Sequence, residues 1–417
     1  MRSKIKRLSK SSLLKESLIY GLTNALYSGL PILILPLLVK VLSPEDYGLV
    51  ELYRNFSLIL IPILGLSTAQ SVIRFYYDLE KIEFKIFVSN IIALHFTTTI
   101  ISIFVLLSVS VFISPVYSQL IGFSIIYFLF NQITEILLSI YRAEKSPPKY
   151  MLLRLAQVLF DIVLLTLFFF FLKSFDWSYR VYPNVLAAVL VGGISLIALY
   201  KQSYFHKIEW KLLKMAILFG APLILHMVSG YILNIGDRFF ILYFLTEKDL
   251  GNYTVMYQLG MLVNFFFTSF NLAWSPTFFE MMKAGNTKKI HEIKMISYSG
   301  ILFFNAVVIC FVYLLTKFTL LFERYEINMG IIILVSISYA FISMYKFESN
   351  YYFFYKNTKR LSLITLGAAI ITVALNILLI PTMKLYGCAI ATLVASLFMF
   401  ILASSNSKAN EKIVEKI

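Results

Sequence analysis

"SPEDYG" (43–48) and "TEKDLG" (246–251) are two short polar interruptions lying 203 positions apart in a chain of 417 residues. Before the first stands "SLIYGLTNALYSGLPILILPLLVKVL", of which Leu18 to Val39 is 22 residues without a charge. After it stands "LVELYRNFSLILIPILGLSTA" (49–69). A helix rises ~1.5 Å per residue, so about 20 apolar residues cross the ~30 Å of a bilayer's hydrocarbon. The interruptions therefore read as tight turns between spanning helices.

Composition extends this reading to the whole chain. Hydrophobic residues make up 59% and charged residues 14%, against about 25% charged in a soluble domain. Apolar runs with few or no charges give approximate spans at 17–39, 48–73, 86–113, 119–141, 150–172, 183–200, 215–245, 251–279, 295–316, 328–354, 361–381 and 386–404. The expected fold is all-α: a polytopic membrane protein of twelve transmembrane helices. Cys310 and Cys388 lie in apolar runs and read as small core residues. The first run is too long for a cleaved signal peptide and leads into "KVLSPEDYG" rather than small residues.

Basic residues set the orientation. Loops at the N-terminus, 74–85, 142–154, 201–214, 280–294, 356–360 and the C-terminus hold 27 Lys and Arg, whereas the opposite loops hold 7. Lys and Arg concentrate on the cytoplasmic side, so both termini are expected in the cytoplasm and the two turns outside. This also accounts for the net charge of +15 without any nucleic-acid partner. The basic segments face anionic membrane lipids instead.

A shift of 203 aligns Leu42 with Leu245, Ser43 with Thr246, Asp46 with Asp249 and Gly48 with Gly251. It also aligns Phe75 with Phe278 and Ala188 with Ala391, while "YRAEK" (141–145) lies over "YKNTK" (355–359) at a nearby offset. Six spans per repeat predict two parallel six-helix lobes, 1–200 and 201–417, related by a pseudo-twofold along the membrane normal. Such lobes place a transporter's substrate at their interface near the midplane.

Ionisable groups in spans are costly and mark candidate sites. Here they are Glu51, Arg54, Glu135, Asp161, Asp237, Arg238, Lys346 and Glu348, joined by His95 and His226. Glu51 and Arg54 are spaced to pair on one helix face. Asp237 and Arg238 can hold the TEKDLG turn, Lys346 and Glu348 can snorkel, and the histidines read as packing residues. Asp161 lies ~16 Å deep at helical rise, with no basic residue within four positions on its helix. It is either a hydrogen-bonded structural carboxyl or the site of a coupling proton or Na⁺, with Glu135 or Glu348 assisting. Breakers (Gly29, Pro31, Pro36, Pro62, Gly65, Pro222, Pro276) gather in spans 1, 2, 7 and 8. These spans also hold Asn24, Asn55, Asn234, Gln258, Asn264, Asn271 and Trp274, and are expected to line a cavity.

"LPILILPLLVKVLSPEDYGLVELY" (30–53), "GDRFFILYFLTEKDLGNYTVMYQLG" (236–260) and "LNILLIPTMKLYGCAIATLVAS" (375–396) resemble the polysaccharide-transport branch of the multidrug/oligosaccharidyl-lipid/polysaccharide exporter superfamily, in particular the Wzx-type O-antigen and capsule repeat-unit flippases. The resemblance implies alternating access in a bacterial inner membrane. The implied cargo is an undecaprenyl-pyrophosphate-linked oligosaccharide, flipped from the cytoplasmic to the outer leaflet and passed towards polysaccharide polymerase machinery. It implies no cofactor beyond a coupling H⁺ or Na⁺. A diphosphate calls for Arg or Lys, so Arg54, Arg74, Arg154, Arg238 and Lys346 are the expected ligands, with Asn24, Asn234, Gln258 and Trp274 lining the cavity. With Arg154 counted in its loop, the runs carry three cations and five carboxylates, a net −2 that runs against an anionic cargo and suits the rival, a multidrug/cation antiporter of the same superfamily. A membrane polymerase or glycosyltransferase fits poorly: the outer loops are short, and neither an Asp-x-Asp motif nor a phosphate-binding Gly-rich loop is present. No metal site and no enzyme activity are expected.

Overall fold

The computed structural model describes residues 2–171, 175–355 and 357–414, and these contain helices and no strand. In chain order the helices are α1 (Arg2–Val41), α2 (Pro44–Leu64), α3 (Ser71–Phe75), α4 (Lys81–Val109), α5 (Pro115–Ala143), α6 (Pro147–Phe171), α7 (Ser178–Lys201), α8 (Trp210–Phe244), α9 (Glu247–Gly260), α10 (Leu262–Lys283), α11 (Thr287–Phe318), α12 (Met329–Phe354), α13 (Thr358–Met383) and α14 (Leu385–Val414). In a bilayer every backbone polar group must be satisfied within the segment, and the helix does this.

Among the described residues ten helices are individually long and apolar enough to span a membrane, and α8 makes an eleventh if its bent pair is one span. The helical fold is as expected, and among the described residues the expected run 251–279 falls on two helices rather than one. There α9 ends at Gly260 and α10 starts at Leu262, and neither piece is among those ten. Pro276 is not the cause, since it lies inside α10. The break comes at Gly260, where an added Cβ would press on Val335 and the Ile332 carbonyl. The other breakers also act selectively. Helix α1 continues through Gly29, Pro31 and Pro36 without a break, whereas the second span stops at Leu64 and turns through Leu66 and Ser67, both left-handed at φ 45° and 51°.

By packing, the described chain forms two units: Met1–Leu33 with Leu49–Val228, and Ile34–Gly48 with Ser229–Ile417. The first has its core on α4, α5 and α7, around Phe87, Ile91, Phe128, Ile133 and Val191. Its Gly220 lies so close to the Leu66 carbonyl oxygen that a Cβ would overlap it. Ser89 and Asn90 of α4 hydrogen-bond the backbone of His206 and Glu209, which seats the α7–α8 connection on α4.

The second unit contains both opening turns, and they mirror each other. The Ser43 hydroxyl accepts from the Asp46 amide at 3.1 Å and donates to its carboxylate at 2.5 Å. Thr246 and Asp249 form the reciprocal capping box, which satisfies the free amides of a helix start. An added Cβ on Gly48 would overlap the carbonyl oxygen of Glu247, and one on Gly251 that of Pro44. Each glycine therefore meets the carbonyl four residues before the other, and the 203-residue repeat becomes a two-way contact between α2 and α9. Arg324 and Tyr325 close the end of α1 by donating to the carbonyls of Val41 and Leu42 at 2.8 and 3.2 Å. Glu326 draws Lys248 into an exposed pair at 2.5 Å and holds its ammonium pKa above the ordinary lysine value.

Candidate functional site

In the first unit two buried ion pairs join adjacent antiparallel helices. Arg154 of α6 grips Glu135 of α5 with both terminal nitrogens, at 2.6 and 3.2 Å, and also donates to Gln157 at 2.9 Å. Arg180, in the first turn of α7, grips Asp161 of α6 at 2.7 and 2.8 Å. Asn184 adds a third bond to Asp161 at 3.0 Å and accepts from the Tyr53 hydroxyl at 2.9 Å. Tyrosines connect the two pairs. The Arg154 guanidinium lies 4.3 Å from the Tyr27 ring centre, Tyr27 hydrogen-bonds Tyr127, and Tyr127 meets Tyr53 edge-on at 6.2 Å. Asn24 accepts from Tyr150 at 2.7 Å. Both fork-like Arg–carboxylate contacts fix geometry as well as charge.

The second unit is built differently. Asp237 and Arg238 pair at 2.7 Å while both are buried, and Tyr253 donates to Asp237 at 2.9 Å. Arg238 also lies against the Tyr257 ring at 4.3 Å. Lys294 of α11 pairs with the fully buried Glu348 of α12 at 2.7 Å, and Tyr298 donates to the same carboxylate at 2.5 Å. Lys346 of α12 stands apart: its ammonium donates to the Asn264 oxygen and the Thr268 hydroxyl of α10, both at 2.8 Å. One turn on, Asn350 donates to Asn271 at 2.9 Å. Among the described residues no carboxylate pairs with Lys346.

These contacts change the reading of several expected site residues. Asp161 has no partner on its own helix, as the spacing says, but Arg180 supplies one across the helix pair, so it is not a lone midplane carboxylate. Glu348 does not snorkel; it is sealed against Lys294. Glu135, Arg154 and Arg238 are likewise in ion pairs. Arg54 pairs with Glu51 through one nitrogen at 3.3 Å, leaving its side chain 41% exposed. Arg74 pairs with Asp78 at 2.5 Å on an exposed face. Gln258 is buried and accepts from Tyr47, and Asn234 is exposed but donates to its own helix at Gly230. Trp274 is 5% exposed and stacked on Phe347 at 5.1 Å. His95 contacts the Thr68 hydroxyl at 3.1 Å and Phe128 edge-on. The His226 side chain lies outside the described residues. No group of three or more His, Cys, Asp or Glu among the described residues could hold a metal ion.

Arg180 and Lys294 are the members of these buried ion pairs that sequence reasoning missed. It counted them, with Arg154, as loop charges, although each reaches a buried carboxylate. The signal was there: Glu135 to Arg154 and Asp161 to Arg180 have the same spacing of 19 residues, each across one helical hairpin. Added to the charges of the apolar runs, these three make six cations against five carboxylates. The net −2 becomes +1, and the surplus charge is Lys346.

A family model described as "Polysaccharide biosynthesis protein" matches residues 13–282. Two proteins of Haemophilus influenzae (strain ATCC 51907 / DSM 11121 / KW20 / Rd) are similar. "Lsg locus putative protein 1" is 24% identical over 290 residues, covering 68% of this chain and 71% of its own length. An "Uncharacterized membrane protein" is 25% identical over 360 residues, covering 84% and 86%. Among solved structures, the lipid II flippase MurJ in an inward closed conformation superposes with a TM-score of 0.73 at 14% identity, over 95% of this chain and 87% of its own. An inward-facing multidrug-resistance MATE transporter of the MOP superfamily follows at 0.69 and 16%, over 95% and 96%. At these identities the two structures establish a shared fold.

Proposed function

Since the chain belongs to the polysaccharide biosynthesis protein family, we propose that it is a flippase that carries undecaprenyl-pyrophosphate-linked oligosaccharide from the cytoplasmic to the outer leaflet of a bacterial inner membrane. One observation supports the reading against a cation antiporter: among the described residues Glu51, Glu135, Asp161, Asp237 and Glu348 each pair with a cation, and Lys346 pairs with no carboxylate. A lysine within a span costs about 2.5–3.5 kcal/mol on insertion scales. Lys346 sits inside Met329–Phe354 held by neutral oxygens alone, ready to exchange them for an anion. Burying a diphosphate without such a partner is prohibitive. Arg54, in the first unit, is a second candidate cation, with a half-exposed guanidinium engaged on one nitrogen.

The test is deletion of the gene, with lipid-linked repeat units expected to accumulate on the cytoplasmic face. Lys346→Gln removes a charge-assisted bond worth about 1.5–3 kcal/mol and is expected to lower export about 10- to 100-fold. Arg54→Lys is expected to impair export more than charge conservation suggests, because an ammonium cannot grip a diphosphate with two parallel bonds. Wild-type export by Arg54→Ala would remove that residue from the site.

Coupling to a proton or Na⁺ gradient belongs to the proposal in a modified form. Asp161, Glu135 or Glu348 takes up the cation only in a state where its Arg or Lys partner has let go. The affinity for the ion then differs between states, as a driving ligand requires. The lobes 1–200 and 201–417 are the bodies that would rock, with both termini cytoplasmic. A cysteine placed at Asn328, beside the turn closed by Tyr325, is expected to react with an impermeant maleimide added to intact cells. Protection there, with labelling only after lysis, would reverse the orientation.

A further inference from the structure

We propose that the first unit carries a carbohydrate-recognition surface built from Asn24 and Tyr27 of α1, Tyr127 and Glu135 of α5, and Asn184 of α7. This deepens the flippase reading and rests on it: the surface takes the uncharged sugar hydroxyls of the cargo, not its phosphates.

All five side chains are partly exposed, in contrast to the buried Arg154, Asp161 and Arg180 behind them. The backing fixes the front. Arg154 holds the Glu135 carboxylate with two nitrogens yet leaves it 25% exposed, so one edge of a rigidly held acceptor is open. Its Nε has no hydrogen-bond partner among the described residues, although the side chain is only 7% exposed. Asn184 is oriented by Asp161 and Tyr53, and the Tyr27 ring is braced by the Arg154 guanidinium.

Charge selects the ligand class. Glu135 is cancelled by Arg154 and Asp161 by Arg180, so the surface is polar but neutral. A diphosphate would meet the outward edge of a carboxylate, and a lipophilic cation would meet a carboxylate already gripped by guanidinium. A hydroxyl donates to a carboxylate or amide oxygen and accepts from an amide or phenol. Tyrosine adds a ring whose apolar face covers the C–H side of a sugar. Tyr127 and Glu135 lie eight residues apart on one helix face, about 12 Å at helical rise, which leaves room for more than one ring. Sites that hydrogen-bond substrate hydroxyls reject analogues lacking them, because their own polar groups are then left unpaired.

The test uses the full chain purified in detergent and two probes: oligosaccharide released by mild acid from the host's own surface polysaccharide, and inorganic pyrophosphate. Tyr27→Phe and Tyr127→Phe keep the rings and remove the hydroxyls. Each is expected to weaken oligosaccharide binding about tenfold, the effect of one lost hydrogen bond, with pyrophosphate affinity within about twofold. Lys346→Gln is expected to do the reverse. Unchanged oligosaccharide affinity in the Tyr27→Phe/Tyr127→Phe double variant would overturn the proposal. So would wild-type protein that binds pyrophosphate and no oligosaccharide, an outcome that leaves the flippase reading standing. Wild-type protein that binds neither probe but binds tetraphenylphosphonium would remove the flippase reading and this surface with it.

Discussion

Asp161→Asn alone is expected to destabilise the protein by about 3–5 kcal/mol, the usual effect of removing one partner from a buried ion pair. Asp161→Asn combined with Arg180→Gln is expected to recover most of that loss. The carboxylate is 3% exposed and accepts three bonds, two of them from Arg180. An asparagine retains one acceptor oxygen and turns an NH₂ towards donors. The guanidinium cannot discard its proton, so it stays charged, buried and half-bonded. In the double variant two amides can bond to each other with no charge to desolvate. Thermal unfolding in a single detergent reads both variants. A single variant with wild-type stability would mean that Asp161 and Arg180 are not paired in the resting protein. The double variant also separates two roles that the single confounds: if it folds and exports without dependence on the ion gradient, Asp161 is the coupling carboxylate.

Why the sequence missed Arg180 while reading so much else is a matter of range. Spanning helices are legible because lipid is a uniform solvent, and a run of about 20 apolar residues has few other uses there. The SPEDYG and TEKDLG turns are legible because a capping box and a following glycine are local chemistry. An ion pair between neighbouring helices is neither. Whether Asp161 is alone depends on a residue 19 positions away at the mouth of the next helix, where a long arginine reaches inward from what looks like a loop. The same limit applied to Lys294 and Glu348. Trp274 was placed in a cavity because polar residues surround it in sequence, yet its ring stacks on Phe347. The break at Gly260 was missed because proline was taken as the sign of a broken span. There the last residue of α9 packs closely on Val335, which only the partner helix reveals. The reading of span charge failed for a related reason: counting cations by loop boundary gave the wrong sign.

Substitution at the two repeat-related glycines is expected to show the second large effect, with a distinctive pattern. Gly251→Ala places a methyl on the Pro44 carbonyl oxygen, and Gly48→Ala places one on the Glu247 carbonyl. Neither obstacle is a side-chain end that could swing aside, so α2 and α9 must separate. Overpacking of this kind costs about 1–3 kcal/mol and more where backbone must move. Because the contact is reciprocal, the two substitutions disrupt the same approach. Once the helices have parted for the first methyl, the second finds space, so the double variant is expected to lose about as much as the worse single. Neighbouring sites sharing one contact depart from additivity in this way. Gly193→Ala supplies the control: nothing lies within 4 Å of its added Cβ, and alanine is favoured over glycine in a helix by about 1 kcal/mol, so stability should hold or rise. Thermal unfolding midpoints of the four variants decide the matter. Additive losses at Gly48 and Gly251 would mean that the two glycines serve separate contacts, and the two-way packing of α2 on α9 would have to be abandoned.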